Sequence, residues 1–294
     1  EETYIEDGVS VNVLNDCRFL GGSLNMGNNS ILDVNNSFIF NGGQCIVPDA
    51  TPAEIYVGGF YSNFNPGQAF FPGNSTFTFD GSADQEVTSD ASTVYFHNLI
   101  IDNPGNQVIF YVNTHIYGDA HVINGTFVNA GLSHSNTFLG DVDVEPSGVF
   151  LPKGIINFEG DESTVFNDQS SGSSYLWGQV NVNKPTDDLQ LLIADDMIIL
   201  NGFSIDVLSG VVDLNGGVLR CTENVSIYDG GKIVVDAGAD LEVGDDATLN
   251  VNNGGVLEVI GENGNPATVT AWNSILGHRY YFNVNAGGTI SANY

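Results

Sequence analysis

The strongest constraint in this sequence is an apolar pair that recurs every eight residues toward its C-terminal end. Five such pairs follow one another: Val225/Ile227, Ile233/Val235, Leu241/Val243, Leu249/Val251 and Leu257/Val259. One residue separates the two members of each pair, and this alternation predicts a short strand with one buried face. Gly230, Gly238 and Gly254 share one phase between the pairs, and Asp246 takes the remaining place. These residue types suit tight corners, so we expect a strand and a turn in every eight residues.

The double glycines indicate how many strands make a full coil. Gly230-Gly231 and Gly254-Gly255 are separated by three steps of eight. A coil of three faces would place Leu257 directly above Ile233, with each strand paired in parallel to its equivalent one coil away. The predicted fold class is therefore all-β, a parallel three-faced β-helix solenoid, and right-handed crossovers are favoured between parallel strands. An antiparallel sandwich or barrel would also give short strands, but its hairpin loops would not keep a strict step.

We expect one domain over residues 1–294, and its C-terminal part is the most regular. Residues 216–294 should form coils of about 24 residues, and they stop in mid-pattern at Tyr294. We expect an open end there, which continues into a further domain or meets a partner subunit. Residues 76–215 carry a coarser tandem repeat of about 80 residues, in which Phe79-Asp80-Gly81 is echoed by Phe158-Glu159-Gly160.

The N-terminal part, residues 1–75, is predicted to form less regular coils. Its segment 48–73 does not alternate, and it holds four of the nine prolines and six aromatic residues. We expect this segment to leave the coils as a loop or flap. Four of its aromatic residues are candidates for binding a ligand by stacking: Tyr56, Phe60, Tyr61 and Phe64.

Charge limits the partners that the chain can have. It carries 36 acidic residues against six basic ones, a formal net charge of -30. A nucleic-acid partner is not expected, because binding a polyanion needs lysine and arginine to displace its counterions. Membrane insertion is not expected either, because no apolar run reaches the length that spans a bilayer. An acidic surface of this kind favours solubility and attracts cations.

The stretch "FTFDGSADQEV…STVYFHNLIIDNPG", the glycine-cornered ladder from Gly230 to Gly261 and the ending "FNVNAGGTISANY" resemble the parallel β-helix (pectin-lyase-like) regions of large secreted or surface-anchored proteins of Bacteroidota. The resemblance covers residues 76–294 well and 1–75 poorly. It implies an exported, repeat-rich and often adhesive protein, with further β-helix or sorting domains in the parent chain. Its motifs are structural, so they bear on fold and compartment more than on activity.

Many parallel β-helix proteins cleave polysaccharides, which makes an enzyme the alternative to a structural rod. A lyase needs a base beside carboxylates that hold calcium, and Arg220 and Lys232 are the basic residues within the regular coils. Arg220 falls on an outward phase, which favours a solvated surface residue. A glycosidase needs two carboxylates at a fixed separation, whereas the adjacent aspartates Asp187-Asp188, Asp195-Asp196 and Asp245-Asp246 suit turns. "GHR" at 277–279 resembles only weakly the Gly-His-Gly motif of pectin-hydrolysing β-helix proteins.

Metal and thiol chemistry receive less support from the sequence. Asp141, Asp143 and Glu145 alternate along one predicted strand, which makes them the calcium candidates. His115 and His121 lack an identifiable third ligand. Three cysteines make an odd count, and Cys17 and Cys45 form either a disulfide or two buried small apolar residues.

The function expected from the sequence is a non-catalytic extracellular rod segment of a larger surface or secreted protein, structural or adhesive, with no cofactor other than possible calcium. A carbohydrate-binding or polysaccharide-cleaving β-helix is the first alternative, with a polysaccharide or cell-surface molecule as ligand. An assembly module that stacks end to end with partner subunits is the second.

Overall fold

A computed structural model describes residues 2–50, 52–170, 174–200, 202–272 and 279–293. Within these ranges the chain forms strands and turns and no helix, so no helix long and apolar enough to cross a membrane is found there. The strands up to residue 151 are β1 (Glu2–Ile5), β2 (Ser10–Val13), β3 (Cys17–Phe19), β4 (Gly22–Met26), β5 (Ile31–Val34), β6 (Phe38–Phe40), β7 (Gly43–Ile46), β8 (Ala53–Val57), β9 (Tyr61–Asn63), β10 (Phe70–Phe71), β11 (Ser75–Phe79), β12 (Gln85–Ser89), β13 (Thr93–Phe96), β14 (Asn98–Phe110), β15 (Asn113–Ile116), β16 (Ala120–Asn129), β17 (Ser135–Phe138) and β18 (Val142–Leu151).

The strands that follow are β19 (Lys153–Phe158), β20 (Thr164–Asp168), β21 (Trp177–Asn183), β22 (Gln190–Ile193), β23 (Asp196–Ile199), β24 (Ile205–Asp213), β25 (Val218–Cys221), β26 (Val225–Ile227), β27 (Gly231–Val235), β28 (Asp240–Val243), β29 (Thr248–Val251), β30 (Val256–Ile260), β31 (Thr268–Ala271), β32 (Tyr281–Val284) and β33 (Thr289–Asn293). The chain divides into two compact units. Unit 1 runs to Asn136 and includes Val144–Leu151, and unit 2 comprises Thr137–Asp143 and the residues from Pro152 onward. The boundaries expected at residues 75 and 215 do not coincide with this division.

Unit 2 is a parallel β-solenoid with three faces, as the eight-residue step predicts. One face contains β23, β25, β28 and β31, a second contains β24, β26, β29 and β32, and a third contains β22, β24, β27, β30 and β33. All of these pairings are parallel. Ile233 is the register partner of Leu257, so the predicted coil of three eight-residue steps is confirmed at this face.

The corners of unit 2 have the backbone geometry that the sequence indicates. Gly230, Gly238 and Gly254 have φ values of 80°, 84° and 78°, in the left-handed region that glycine enters freely. Asp246 replaces glycine at the corner between those of Gly238 and Gly254, with a φ of 56°. Short polar side chains tolerate this conformation better than other residues with a Cβ, which explains how an aspartate keeps the step.

The regular coil does not extend unchanged through the described part of unit 2. Val218 pairs with Asp240, which makes a coil slightly shorter than three steps of eight, whereas Leu249 pairs with Phe282, which makes a longer one. The longer coil accommodates a small loop closed by a bridge between Glu262 and Asn265. The expected interruption at Tyr294 lies outside the described residues.

Unit 1 is also a parallel β-solenoid, with shorter coils. Its faces contain β1, β4, β7 and β10; β2, β5, β8, β11 and β14; and β3, β6, β9, β12 and β14. Ser10 is the register partner of Ile31, and Leu32 is that of Ile55, so both coils are shorter than three steps of eight. The tandem repeat predicted over residues 76–215 stays a prediction, because these two coils precede that range.

The flap expected at 48–73 is wrong, because this segment forms a coil of unit 1. Ile55 of β8 pairs with Leu32 and with Phe77, and Tyr61 of β9 pairs with Phe38 and Val87. The prolines lie between strands, so no backbone donor is missing from the ladders. The lack of alternation arises at β9, where all three residues are buried.

An aromatic ladder fills the interior of unit 1. Phe38 contacts Phe40 with ring centroids 5.0 Å apart, and Phe77 contacts Phe96 at 5.1 Å, both edge to face. Stacked pairs also occur, as for Phe110 and Phe127 at 4.6 Å. Burial of such large apolar side chains is the main favourable contribution to folding, and each ring contact adds about 0.5–1.5 kcal/mol.

Candidate functional site

A groove on the outside of unit 1 is the best candidate for a binding site, with a volume of about 640 Å³. Successive coils build its wall, because each contributes an outward residue at the same position around the solenoid. Phe71 of β10 is the register partner of Ile46 of β7, and both face the groove. The polar groups and further aromatic groups on it are Gln44, Asp49, Gln68, His97 and Tyr117.

The strand register explains why His97 and Tyr117 come together. Phe96 of β13 pairs with Ile116 of β15, and the Tyr117 amide donates to the Phe96 carbonyl at 3.0 Å. The residues that follow each strand are therefore neighbours on adjacent coils. Phe96 and Ile116 point inward and are fully buried, so the next residue of each strand lies on the outside. Tyr117 is 44% exposed there.

Tyr117 also belongs to a cluster of aromatic rings beside the groove. Its ring stacks on Tyr95 with centroids 6.2 Å apart and an interplanar angle of 16°, and it contacts His115 at 4.6 Å. Burial raises the pKa of Tyr117, with a smaller contribution from Tyr95. Burial lowers the pKa of His115, which favours a neutral imidazole in this cluster. The cluster holds the Tyr117 ring in place at the edge of the groove.

Another part of the groove lining depends on a close backbone approach at Gly73. This residue has a φ of +46°, and a Cβ placed on it would lie 2.2 Å from the Val47 carbonyl oxygen. Nearby, the Gln68 side chain donates Nε2 to the Phe70 carbonyl at 2.8 Å, which fixes that amide at the rim. The groove therefore combines ring faces with a few polar groups, of which Gln68 is fixed by this hydrogen bond, an arrangement typical of small-molecule sites.

The four aromatic residues predicted to bind a ligand are not brought together in this groove. Tyr61 is 2% exposed and lies within the interior ladder, so it cannot contact a ligand. Tyr56 donates its hydroxyl to Glu54 at 2.8 Å, and this bond raises its pKa to about 12. Phe60 and Phe64 are 46% and 54% exposed at the two ends of β9. These two remain surface residues, whereas Phe71 of the same segment faces the groove.

Each calcium candidate has a protein partner on an adjacent coil. Asp141 Oδ1 accepts a hydrogen bond from the Val165 amide at 2.7 Å, and Asp143 Oδ1 accepts one from Asn167 at 3.1 Å. Glu145 contacts His121 Nε2 at 3.2 Å. Among the described residues no group of three or more histidine, cysteine, aspartate or glutamate side chains is placed to hold a metal ion.

Arg220 and Lys232 of unit 2 are each paired with a glutamate on the next coil. Arg220 pairs with Glu242, its register neighbour, and lies 5.8 Å from the Trp272 ring. The hydrogen bond to Glu242 raises the pKa of Arg220 further above its already high value. Lys232 pairs diagonally with Glu258, which is the register partner of Val234 on the next coil. The expectation of an outward Arg220 agrees with this position, although the side chain is only 24% exposed.

The cysteines are unpaired in the structure. Cys17 is half-buried and Cys45 is buried. Burial raises the pKa of the Cys17 thiol to about 11 and that of Cys45 further. His278 of the "GHR" element lies outside the described residues.

Comparisons with known proteins add little to this geometry. No protein-family model matches the chain, and no curated protein matches its sequence. Among solved structures, the TibC-catalysed hyper-glycosylated TibA55-350 fragment is similar with 15% identity, over 100% of this chain and 98% of that chain, at a TM-score of 0.28. At these values the fold assignment rests on the strand registers.

Proposed function

We propose that this chain is a non-catalytic segment of a larger secreted or cell-surface protein, in which the solenoid has a structural and adhesive role. The observation that carries the proposal is that two basic side chains form ion pairs with glutamates on the next coil. Arg220 and Lys232 are tied to Glu242 and Glu258 across neighbouring coils, so they hold the coils together. Further carboxylates lie near both basic groups, such as Asp196 near Arg220 and Asp213 near Lys232, but the two cations are already engaged by their ion pairs.

A polysaccharide lyase is the alternative with the clearest chemical requirement. Its base must lose a proton near neutral pH to abstract one from the sugar. Arg220 is a poor base because Glu242 favours its charged form and raises its pKa. Lys184 has a pKa lowered to about 8, but its Nζ donates to the carbonyls of Glu159 and Glu162 and the residue is fully buried. A substrate outside the coils cannot reach it.

The extracellular location is supported by the resemblance to exported β-helix proteins and by a net charge of -30, which suits a soluble, self-repelling surface. Antibodies against the chain should label intact source cells or detect the protein in the culture medium. Labelling that requires permeabilised cells, with none in the medium, would contradict this location.

The lack of activity is tested by incubating the purified chain with neutral and acidic polysaccharides, with and without calcium chloride. We expect no new reducing ends and no absorbance from unsaturated sugar products. Product formation that disappears in Arg220→Ala or Lys232→Ala would overturn the proposal. The same products in Val234→Ala, a substitution of an outward residue without charge, would identify the activity as that of the intact fold.

A further inference from the structure

We propose that the groove of unit 1 binds a neutral polysaccharide through the rings of Phe71 and Tyr117. The inference rests on the proposed function and names the class of ligand that the adhesive surface would take. It is carried by three features of the groove: its aromatic faces, its polar groups and its charge.

The aromatic faces lie along the direction in which the coils stack. Phe71 is on β10, and Tyr117 follows β15. His97 lies between them in coil order, after β13. Adjacent strands in a sheet are about 4.8 Å apart, so two coil steps separate the two rings by roughly 10 Å. That separation is on the scale of a disaccharide, which suits sugar rings stacking on both platforms of an extended chain.

The polar groups around the rings match sugar hydroxyls. Gln44 and Gln68 offer amide donors and acceptors, His97 offers an imidazole, and Asp49 offers a carboxylate acceptor. Hydroxyl groups both donate and accept, so such a mixed set can satisfy several of them at once. A largely apolar surface with a few placed polar groups is also the usual composition of small-molecule sites.

Charge excludes the acidic polysaccharides. Asp49 is the carboxylate on the groove, and no lysine or arginine is among the described residues that line it. The chain as a whole carries a net charge of -30. A uronate or sulfate chain would meet no counter-charge in the groove and a repulsive field around it. A glycosidase would need a second carboxylate beside Asp49, so the groove is suited to binding without cleavage.

The test is calorimetric titration of the full chain with cellohexaose and mannohexaose, and with polygalacturonate as the acidic comparison. We expect at least one neutral hexasaccharide to bind and polygalacturonate not to bind. Phe71→Ala and Tyr117→Ala should each weaken binding by about tenfold, the loss of about 1.4 kcal/mol of contact energy. Tyr117→Phe keeps the ring and should stay within about twofold of the unmodified chain.

Tyr111→Ala is the matched control, because Tyr111 is an equally exposed tyrosine of unit 1, at 42%, that does not line the groove. It should bind like the unmodified chain. All variants are compared by circular dichroism and thermal unfolding, so a loss of binding in an unfolded variant is recognised, and aromatic saturation-transfer NMR on the unmodified chain then reports the ring contacts directly.

Three results would overturn the inference: no binding of either neutral hexasaccharide, equal affinity in Phe71→Ala, Tyr117→Ala and the unmodified chain, or a preference for polygalacturonate. Each of them leaves the proposal of a non-catalytic segment standing. Conversely, cleavage of a bound hexasaccharide would overturn that proposal while the groove remained a sugar site, so the two failures are distinguishable.

Discussion

Val234 and Val235 are consecutive valines on opposite sides of β27. Val235 is fully buried and is the register partner of Val259 on the next coil, whereas Val234 is partly exposed between Asp213 and Glu258. Val235→Ala should lower the free energy of unfolding by about 2 kcal/mol, because it removes two buried methyl groups and leaves a cavity. Val234→Ala should change it by less than about 0.5 kcal/mol. Urea denaturation followed by circular dichroism measures both, and equal losses would contradict the assignment of inward and outward faces.

The same alternation explains which parts of the fold the sequence predicts. An interior ladder needs apolar residues at every second position and a corner after each short strand, so the pairs from Val225 to Val259 define both the strands and the register. The corner at Asp246 is found in the same way, because its phase requires a residue type that tolerates the left-handed conformation. Local physical requirements of this kind restrict the residue type at fixed positions, so they can be recognised from the sequence.

The groove could not be predicted, because it depends on which outward residues lie side by side. Phe71, His97 and Tyr117 follow one another at unequal intervals along the chain, so no fixed spacing marks them. Coil length varies with each corner, and outward positions carry no hydrophobic pattern. The aromatic and proline content of 48–73 indicates an unusual surface, but only the register shows that Tyr61 is interior and Phe71 exterior.

The burial of Asp206 predicts that the stability of the chain depends on pH in the acid range. Asp206 is half-buried on β24, and burial raises its pKa above the usual 3.8. Folding therefore favours the protonated form, and the contribution of Asp206 to stability is present below pH 3.8 and is lost as the pH rises through its folded pKa. Asp206→Asn should be more stable than the unmodified chain at neutral pH, and this difference should vanish toward pH 3.8. Thermal unfolding across this range measures it.

Glu262→Gln is the control for Asp206→Asn, because it removes an exposed carboxylate of the same unit. It should keep the decrease in stability that Asp206 causes between pH 3.8 and neutral pH. An Asp206→Asn variant that is less stable than the unmodified chain at neutral pH would show that the hydrogen bond from Ser226 outweighs the burial of the carboxylate, against the prediction.

The burial of Lys184 predicts that the stability of the chain changes with pH in alkaline solution. Burial lowers the pKa of Lys184 from 10.5 to about 8, so the folded chain releases this proton before the unfolded chain does. Stability should therefore rise between about pH 8 and pH 10.5 as the unfolded state alone retains the proton. Lys184→Met should remove this rise. It should also destabilise the fold by about 1–3 kcal/mol, because the carbonyls of Glu159 and Glu162 lose their donor.

Lys153→Met provides the comparison for Lys184→Met, since Lys153 is a lysine of the same unit that is not fully buried. Its stability should keep the alkaline rise of the unmodified chain. Urea denaturation at pH values from neutral to alkaline distinguishes the two variants, and an unchanged rise in Lys184→Met would assign the effect to another group.

Gly73 and Gly67 lie on either side of β10 and predict opposite outcomes for the same substitution. A Cβ at Gly73 would meet the Val47 and Pro48 carbonyl oxygens at 2.2 Å and 2.7 Å, and its φ of +46° disfavours any side chain. Gly73→Ala should therefore displace the wall of the groove and lower the free energy of unfolding by more than about 2 kcal/mol.

A Cβ at Gly67 meets nothing within 4 Å. Gly67→Ala should be neutral or stabilise by up to about 1 kcal/mol, because it restricts the unfolded chain. Urea denaturation measures both effects, and calorimetric titration with a neutral hexasaccharide should show weaker binding in Gly73→Ala alone. Equal stability and equal affinity in the two variants would contradict the close approach of the backbone at Gly73.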